Sequence, residues 1–204
     1  MGAGKRRRGR THPGEGEGGF RIIGGDWRRR RLHFPARAGV RPTGDRVRET
    51  LFNWLQPVIV GARCLDLFAG SGALSLEALS RGAAAVTALD ISERALADLA
   101  RNLAQLQGTA TLVCADACRW LELAQYERFD IVFIDPPFRS GLAERCIERL
   151  AGSPILAEGA VIYVETASDE TAPRLPADWR LSREKFAGQV AYRLYRRTAV
   201  AAAD

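Results

Sequence analysis

Cys64-Leu65-Asp66-Leu67-Phe68-Ala69-Gly70-Ser71-Gly72-Ala73-Leu74-Ser75 is an apolar run that breaks at a glycine-rich turn and restarts with helical spacing. Cys64 to Phe68 predicts a buried strand, and Gly70 and Gly72 a turn whose backbone can approach a ligand closely. Leu74 to Ser80 predicts a helix, with Gly82 just past its end. The same unit then recurs. Ala85 to Leu89 reads as a second strand, followed by a long helix capped by Ser92, with Leu96, Leu99, Leu103 and Leu106 inward. Thr111 to Cys114 is a third strand, Ala117 to Leu123 a short helix, Phe129 to Ile134 a fourth strand, Leu142 to Leu150 a helix and Ala160 to Val164 a fifth strand. Alternation of this kind implies a parallel sheet covered on both faces. The end of the chain departs from it: only Ala187-Gly188-Gln189 separates Arg180 to Phe186 from Val190 to Arg196, too little for a crossover, so these two strands form an antiparallel hairpin. The fold class is α/β and Rossmann-like: a mostly parallel sheet of seven strands with a C-terminal antiparallel hairpin.

Three regions are expected. Residues 1–19 are rich in Gly and Arg without periodicity and read as a disordered basic arm. Residues 20–57 form a small N-terminal β-hairpin and helix extension, from Phe20 to Gly25, from Arg30 to Phe34, and then Val47, Leu51 and Leu55 at helical spacing before Pro57. Residues 58–204 carry the strand–helix repeats.

Composition narrows the function. At 204 residues with 47% hydrophobic and 26% charged side chains, the chain suits one α/β domain with a full core. Its apolar runs are of strand length, so a membrane span is not expected and a cytoplasmic location is. Four cysteines without a Cys-x-x-Cys pair, and only His12 and His33, argue against a metal site and against Ser-His or Cys-His catalysis. The net charge of +6 is uneven: residues 1–48 hold 14 Lys/Arg against 4 Asp/Glu. Arginine forks match phosphate oxygens and stack on bases, so Arg28, Arg29, Arg30, Arg31, Arg41, Arg46 and Arg48 are candidate RNA contacts.

Ligands of open parallel sheets bind beyond the carboxyl ends of the strands. There the sequence places Asp66, Phe68, Gly70 and Gly72, then Asp90, then Asp116. Asp90 is suited to the hydroxyls of an adenosine ribose and Asp116 to an adenine amino group. Ser75 stands where a nicotinamide-dinucleotide fingerprint has its third glycine, and no cationic pyrophosphate cradle is present. A phosphate-free adenosine cofactor fits better, and S-adenosylmethionine is one. After the fourth strand come Asp135-Pro136-Pro137-Phe138. Asp135 and the carbonyl of Pro136 can accept the two N–H bonds of an exocyclic amine while Phe138 stacks on the ring. This set predicts amine methylation of a base held out of its stack. Carbon methylation needs a cysteine nucleophile, which position 137 does not provide.

Together these residues resemble the class I methyltransferases, and more narrowly the RsmD family of bacterial 16S rRNA guanine-N2 methyltransferases. The resemblance runs from about Arg21 to Arg197. Its markers are Arg21-Ile22-Ile23-Gly24-Gly25-Asp26-Trp27, Arg41-Pro42-Thr43, Arg46-Val47-Arg48-Glu49-Thr50-Leu51-Phe52-Asn53, Asp66 to Leu74, Asp135 to Phe138, Glu184-Lys185 and Gly188-Gln189-Val190-Ala191-Tyr192. It implies S-adenosylmethionine as cofactor, held by the turn from Phe68 to Gly72 with Asp90 and Asp116. It also implies the guanine N2 of 16S rRNA in the small ribosomal subunit or its assembly intermediates as acceptor. The segment from Arg41 to Asn53 would cover the methionine end and line the RNA entrance. Asp90 is one methylene shorter than the Glu of many members, and residues 1–19 lie outside the resemblance. An adenine-N6 RNA or DNA methyltransferase would use a similar tetrapeptide. A nicotinamide oxidoreductase and a non-catalytic RNA-binding assembly factor are the remaining alternatives.

Overall fold

The computed structural model describes residues 17–35, 44–123 and 127–198; the basic run Lys5 to Arg10 and Arg41 lie outside them. Strands β1 (Glu17–Arg21) and β2 (Arg31–Pro35) pair as an antiparallel ribbon, so residues 17–19, expected in the arm, belong to a strand. Helix α1 (Asp45–Leu55) follows. The sheet is then built from β3 (Arg63–Asp66), β4 (Ala85–Asp90), β5 (Thr111–Cys114), β6 (Phe129–Ile134), β7 (Leu156–Ala167), β8 (Trp179–Ala187) and β9 (Val190–Arg197). Its helices are α2 (Ala73–Ser80), α3 (Glu93–Leu106), α4 (Ala117–Leu123) and α5 (Leu142–Leu150).

The strand order is β5-β4-β3-β6-β7-β9-β8. The first five are parallel, and β9 runs antiparallel to both β7 and β8. The hairpin closes through the two residues Gly188 and Gln189, with φ +60° at Gly188, as a turn with glycine at its first central position requires. The order turns outward in opposite directions from β3 and β6, so the carboxyl ends of these two strands frame the crevice in which such sheets bind ligands.

Alternation along the buried strands makes two cores. Cys64, Ile131, Phe133, Val161 and Tyr163 face one side with α1, α2, α3 and the β1–β2 ribbon. Leu65, Val132, Ile134, Ile162 and Val164 face the other with α4 and α5. Phe20, Ile22 and Leu32 from the ribbon and Leu51, Phe52 and Leu55 from α1 are buried in the first core, so the N-terminal extension is packed into the same apolar mass as the sheet. Ser92 caps α3 by accepting the Ala95 N–H at 3.2 Å, as its position predicts.

Candidate active site

The loop after β3 is folded back onto the sheet edge by backbone bonds. Leu67 N donates to Phe133 O and Ala69 N to Leu89 O, while Gly72 N closes a turn on Ala69 O at 2.7 Å. Gly72 sits at φ +80°, and a Cβ there would lie 2.4 Å from Leu99 Cδ1, so only glycine lets the loop pass into α2. Gly70 adopts φ +50° and donates its N–H to Asp90 Oδ2 at 2.8 Å; Asp90 Oδ1 accepts from Ser92 N at the same distance. Asp90 is therefore fixed in place, partly exposed, with lone pairs left on both oxygens for a diol. Asp116 is exposed at the end of β5, and its Oδ1 accepts from Arg119 N as it caps α4. Phe68 is half-buried against the core that holds α4 and α5.

Asp66 is placed differently from the expectation of cofactor contact. Its side chain is sealed beneath the loop, where Oδ2 accepts from Ser75 Oγ at 2.6 Å and Oδ1 accepts a long bond from Phe68 N. Burial pushes its carboxyl up to about 7, with the nearby charges of Asp135 and Asp90 adding to the rise and the Ser75 hydroxyl opposing it. Asp66 thus shapes the loop from within. Ser75, read from the sequence as a missing glycine, is the residue that anchors it.

On the acceptor side, β6 delivers Asp135 to the sheet edge, half-buried, with Pro136 buried beside it. Phe138 is 39% exposed, an aromatic face open to solvent. The loop from Pro136 to Gly141 and the connection from Glu165 to Pro173 enclose an open cleft of about 430 Å³. Arg139, at φ +57°, ties the two walls together: its N–H donates to Glu170 Oε1 and its guanidinium to Asp169 Oδ2 at 2.7 Å. This pairing holds the Asp169 carboxyl below its ordinary range. Glu165, at the end of β7, is only 4% exposed and also lines the cleft.

The loop and cleft lie side by side, and the donor set suits a cationic adenosine cofactor. Asp90, Asp116 and Asp135 bring negative charge to the crevice, and no Lys or Arg lies within the loop from Asp66 to Ser75 to hold a pyrophosphate. The comparisons with known proteins point the same way. A family described as Conserved hypothetical protein 95 matches residues 20–196. Ribosomal RNA small subunit methyltransferase D of Escherichia coli is 53% identical, over 95% of this chain and 97% of its own length. Its counterpart in Haemophilus influenzae is 45% identical, over 88% and 94%. This chain belongs to the small subunit methyltransferase D family. The solved structure of yhhF from Escherichia coli matches at a TM-score of 0.81 and 52% identity, covering 90% of this chain and 100% of that one. A Pyrococcus abyssi tRNA (uracil-54, C5)-methyltransferase in complex with S-adenosyl-L-homocysteine shares the fold, with a TM-score of 0.63 at 21% identity over 88% of this chain and 44% of that one. The fold is that of class I methyltransferases.

The structure separates the candidate RNA contacts. Arg28, Arg29, Arg30, Arg31 and Arg46 are exposed. Arg48 is not: its side chain is 0% exposed, bonded to Glu77 Oε2, Asp45 Oδ1 and Arg21 O, and stacked over the Phe20 ring. Arg48 is a buried structural cation, and its assignment to the RNA surface is corrected. Glu77, equally buried, also accepts the N–H groups of Ile23 and Gly24 and pairs with Arg81, so it fastens the ribbon to α2. The arginine run itself is far from the cleft. Asp26 N and Trp27 N bond to Ser80 at the end of α2, and Arg30 reaches Gln105 O near the end of α3. Ser92, beside Asp90, and Gln105 are separated by most of α3, about 20 Å at 1.5 Å per residue.

Sequence reasoning missed Ser75, Glu77 and Glu165. A signal existed for Glu165 alone: it is a carboxylate ending the apolar run from Ala160 to Val164 on the strand next to Asp135.

Among the described residues no helix is long and apolar enough to cross a membrane, and no three His, Cys, Asp or Glu side chains gather as a metal site would require.

Proposed function

We propose that this protein methylates the exocyclic N2 of one guanine in small-subunit (16S) ribosomal RNA, acting in the cytoplasm on the subunit or its assembly intermediates. The observation that carries the reading is the adjacency of two sites on neighbouring strands: the glycine loop with Asp90 on one side and Asp135 with Phe138 on the other. When bound, S-adenosylmethionine supplies a methyl group activated on a sulfonium. Asp90 receives the ribose hydroxyls, Asp116 the adenine amino group, and the Phe68 to Gly72 backbone the body of the cofactor.

Guanine N2 is a weak nucleophile because its lone pair is delocalised into the ring. Asp135 accepts one N–H and the Pro136 carbonyl the other, which turns the lone pair out of the ring plane toward the methyl carbon. Phe138 stacks on the base and fixes its plane. The gain is positional: an in-line displacement between held partners needs orientation more than a strong base. The N–H proton left over after transfer departs through Asp135, already bonded to that nitrogen. Such a pose requires an unstacked base, as a hairpin loop offers.

The test is transfer of labelled methyl to small-subunit particles, naked rRNA and duplex DNA, followed by nucleoside mass spectrometry. N2-methylguanosine in rRNA is the expected product. N6-methyladenosine would keep the mechanism and replace the base, and absence of transfer to all three would sink the reading.

A further inference from the structure

The pairing of β6 with β7 is in register up to Ile134 and Val164, so the next residues, Asp135 and Glu165, stand side by side at the sheet edge. Parallel neighbours lie about 4.8 Å apart. Both residues follow the face on which Phe133 meets Tyr163 edge-on at 6.3 Å. Glu165 Oε2 accepts the Tyr163 hydroxyl at 2.7 Å, which fixes the carboxylate's orientation. Its Oε1 takes no protein donor among the described residues, and the residue lines the cleft with Pro136 and Phe138. Glu165 is buried, and a buried carboxylate oxygen left without a donor is costly unless a ligand donates to it. The mechanism above uses only Asp135.

The Watson–Crick edge of guanine presents N1–H and N2–H as adjacent donors. Adenine, cytosine and 2-aminopurine each place a lone pair at the ring nitrogen next to the amine, which a carboxylate repels. From this juxtaposition we infer that Glu165 is a second base-reading carboxylate, accepting the N1–H of the target guanine and excluding bases with a lone pair there; the inference rests on the guanine-N2 reading above. Tyr163 is its positioning residue. A carboxylate that accepts N1–H also pushes electron density into the ring and enriches the exocyclic amine, so the same contact that selects the base favours its attack.

The experiment uses small-subunit particles rebuilt around rRNA carrying guanine or 2-aminopurine at the modified position, mapped first with wild-type enzyme by nucleoside mass spectrometry. 2-Aminopurine keeps the reacting N2 amine and replaces N1–H with a lone pair. The readout is the ratio of kcat/KM for guanine over 2-aminopurine within one preparation, so a partly unfolded sample cancels. Wild type should favour guanine by about 100-fold or more, as expected for a buried charged group left facing a lone pair. In Glu165→Gln, whose amide can donate to that lone pair, the ratio should fall at least tenfold. Tyr163→Phe, which frees the carboxylate while keeping its charge, should lower it by a smaller factor and supplies the answer if the Gln variant does not fold. A ratio unchanged in the folded variants, with both substrates slowed equally, would make Glu165 structural and overturn the inference. Absence of methylguanosine from the wild-type mapping would instead overturn the proposed function.

Discussion

Ser75 Oγ lies 2.6 Å from Asp66 Oδ2, with both side chains shut off from solvent beneath the glycine loop. This bond is the main favourable contact of a carboxylate that burial drives up to about 7. Because the folded value lies above the unfolded one near 3.9, the native state holds an extra proton between them. The contribution of Asp66 to stability is therefore fully present below pH 4 and lost as pH rises through 7. Ser75→Ala removes the donor that favours the charged form. It should cost about 1–3 kcal/mol, more at pH 8 than at pH 5. Urea unfolding at the two pH values measures this, and an equal loss at both would show that the hydroxyl does not serve the carboxylate.

Glu77 is the point at which the N-terminal ribbon, α1 and α2 meet. Glu77→Ala takes a carboxylate away from the buried Arg48 guanidinium and strips acceptors from Ile23 N and Gly24 N. Removing one partner of a buried pair typically costs about 3–5 kcal/mol, which in a domain of this size lowers Tm by roughly 6–20 °C. Arg48→Met in the same chain should recover part of the loss, since the stranded charge goes with it. Calorimetry of the single and double variants decides; no recovery would mean that the backbone bonds to Glu77 carry the stability.

The sheet was legible because the parallel strands are short apolar runs alternating with segments of helical spacing, a pattern that local sequence alone reveals. Arg48 shows where such reading fails. Spacing places it with Leu51, Phe52 and Leu55 on the inward face of α1, yet an arginine in a basic segment looks like surface. What permits its burial is Glu77, distant in sequence and itself indistinguishable from a solvent-facing helix acid. Asp66 and Ser75 fail for the same reason: a motif gives the positions at a strand end without saying which side chains turn up to the ligand and which turn under the loop. Asp135, Pro136 and Phe138 were readable because two prolines force the chain to end its strand there. Glu165 was not read, because β7 continues past the apolar run to Ala167 and only pairing with β6 sets it beside Asp135.

Asp135→Ala separates the two halves of the site. Its carboxylate touches the amine in the proposed pose, while the cofactor rests on the glycine loop, Asp90 and Asp116. Methyl transfer should fall about 100- to 1000-fold, the scale of losing one preorganised charged acceptor. Cofactor affinity measured by calorimetry should change by less than about threefold, about half of the 1.4 kcal/mol that a tenfold change represents. A large loss of cofactor affinity would merge the two halves.

The pH dependence of guanine methylation should report Glu165. Burial raises its carboxyl to about 7, against the bond from Tyr163, which lowers it. The groups beside it are Tyr163 on its own strand, which donates to it, and Tyr192, its register partner on β9; Asp135 on β6 acts together with Glu165 on the Tyr163 hydroxyl. The charged form is the stronger acceptor of N1–H, so kcat/KM should rise with pH through about 7 and level off above it. In Glu165→Gln the limb should disappear. Its persistence there would assign the titration to another group such as Asp66.

The exposed arginines of the ribbon turn should act on RNA affinity alone. Arg30 is held by Gln105 O, so the informative variant replaces Arg28, Arg29 and Arg31 with Ala and leaves the docked residue in place. Each phosphate contact contributes about 0.7–0.9 to the slope of log K against log salt, so losing three lowers the slope by about 2–3. The run lies about 20 Å along α3 from Asp90, too far to touch the reacting base. KM for small-subunit particles should therefore rise while kcat stays within about twofold, the pattern of binding removed equally from ground and transition states. Anisotropy titrations between 50 and 200 mM salt, conditions over which such contacts weaken steeply, give the slope, and steady-state kinetics on the same variant give the split. An unchanged slope would leave these arginines facing solvent, whereas a fall in kcat would mean that the turn orients the RNA in the cleft as well as gripping its backbone.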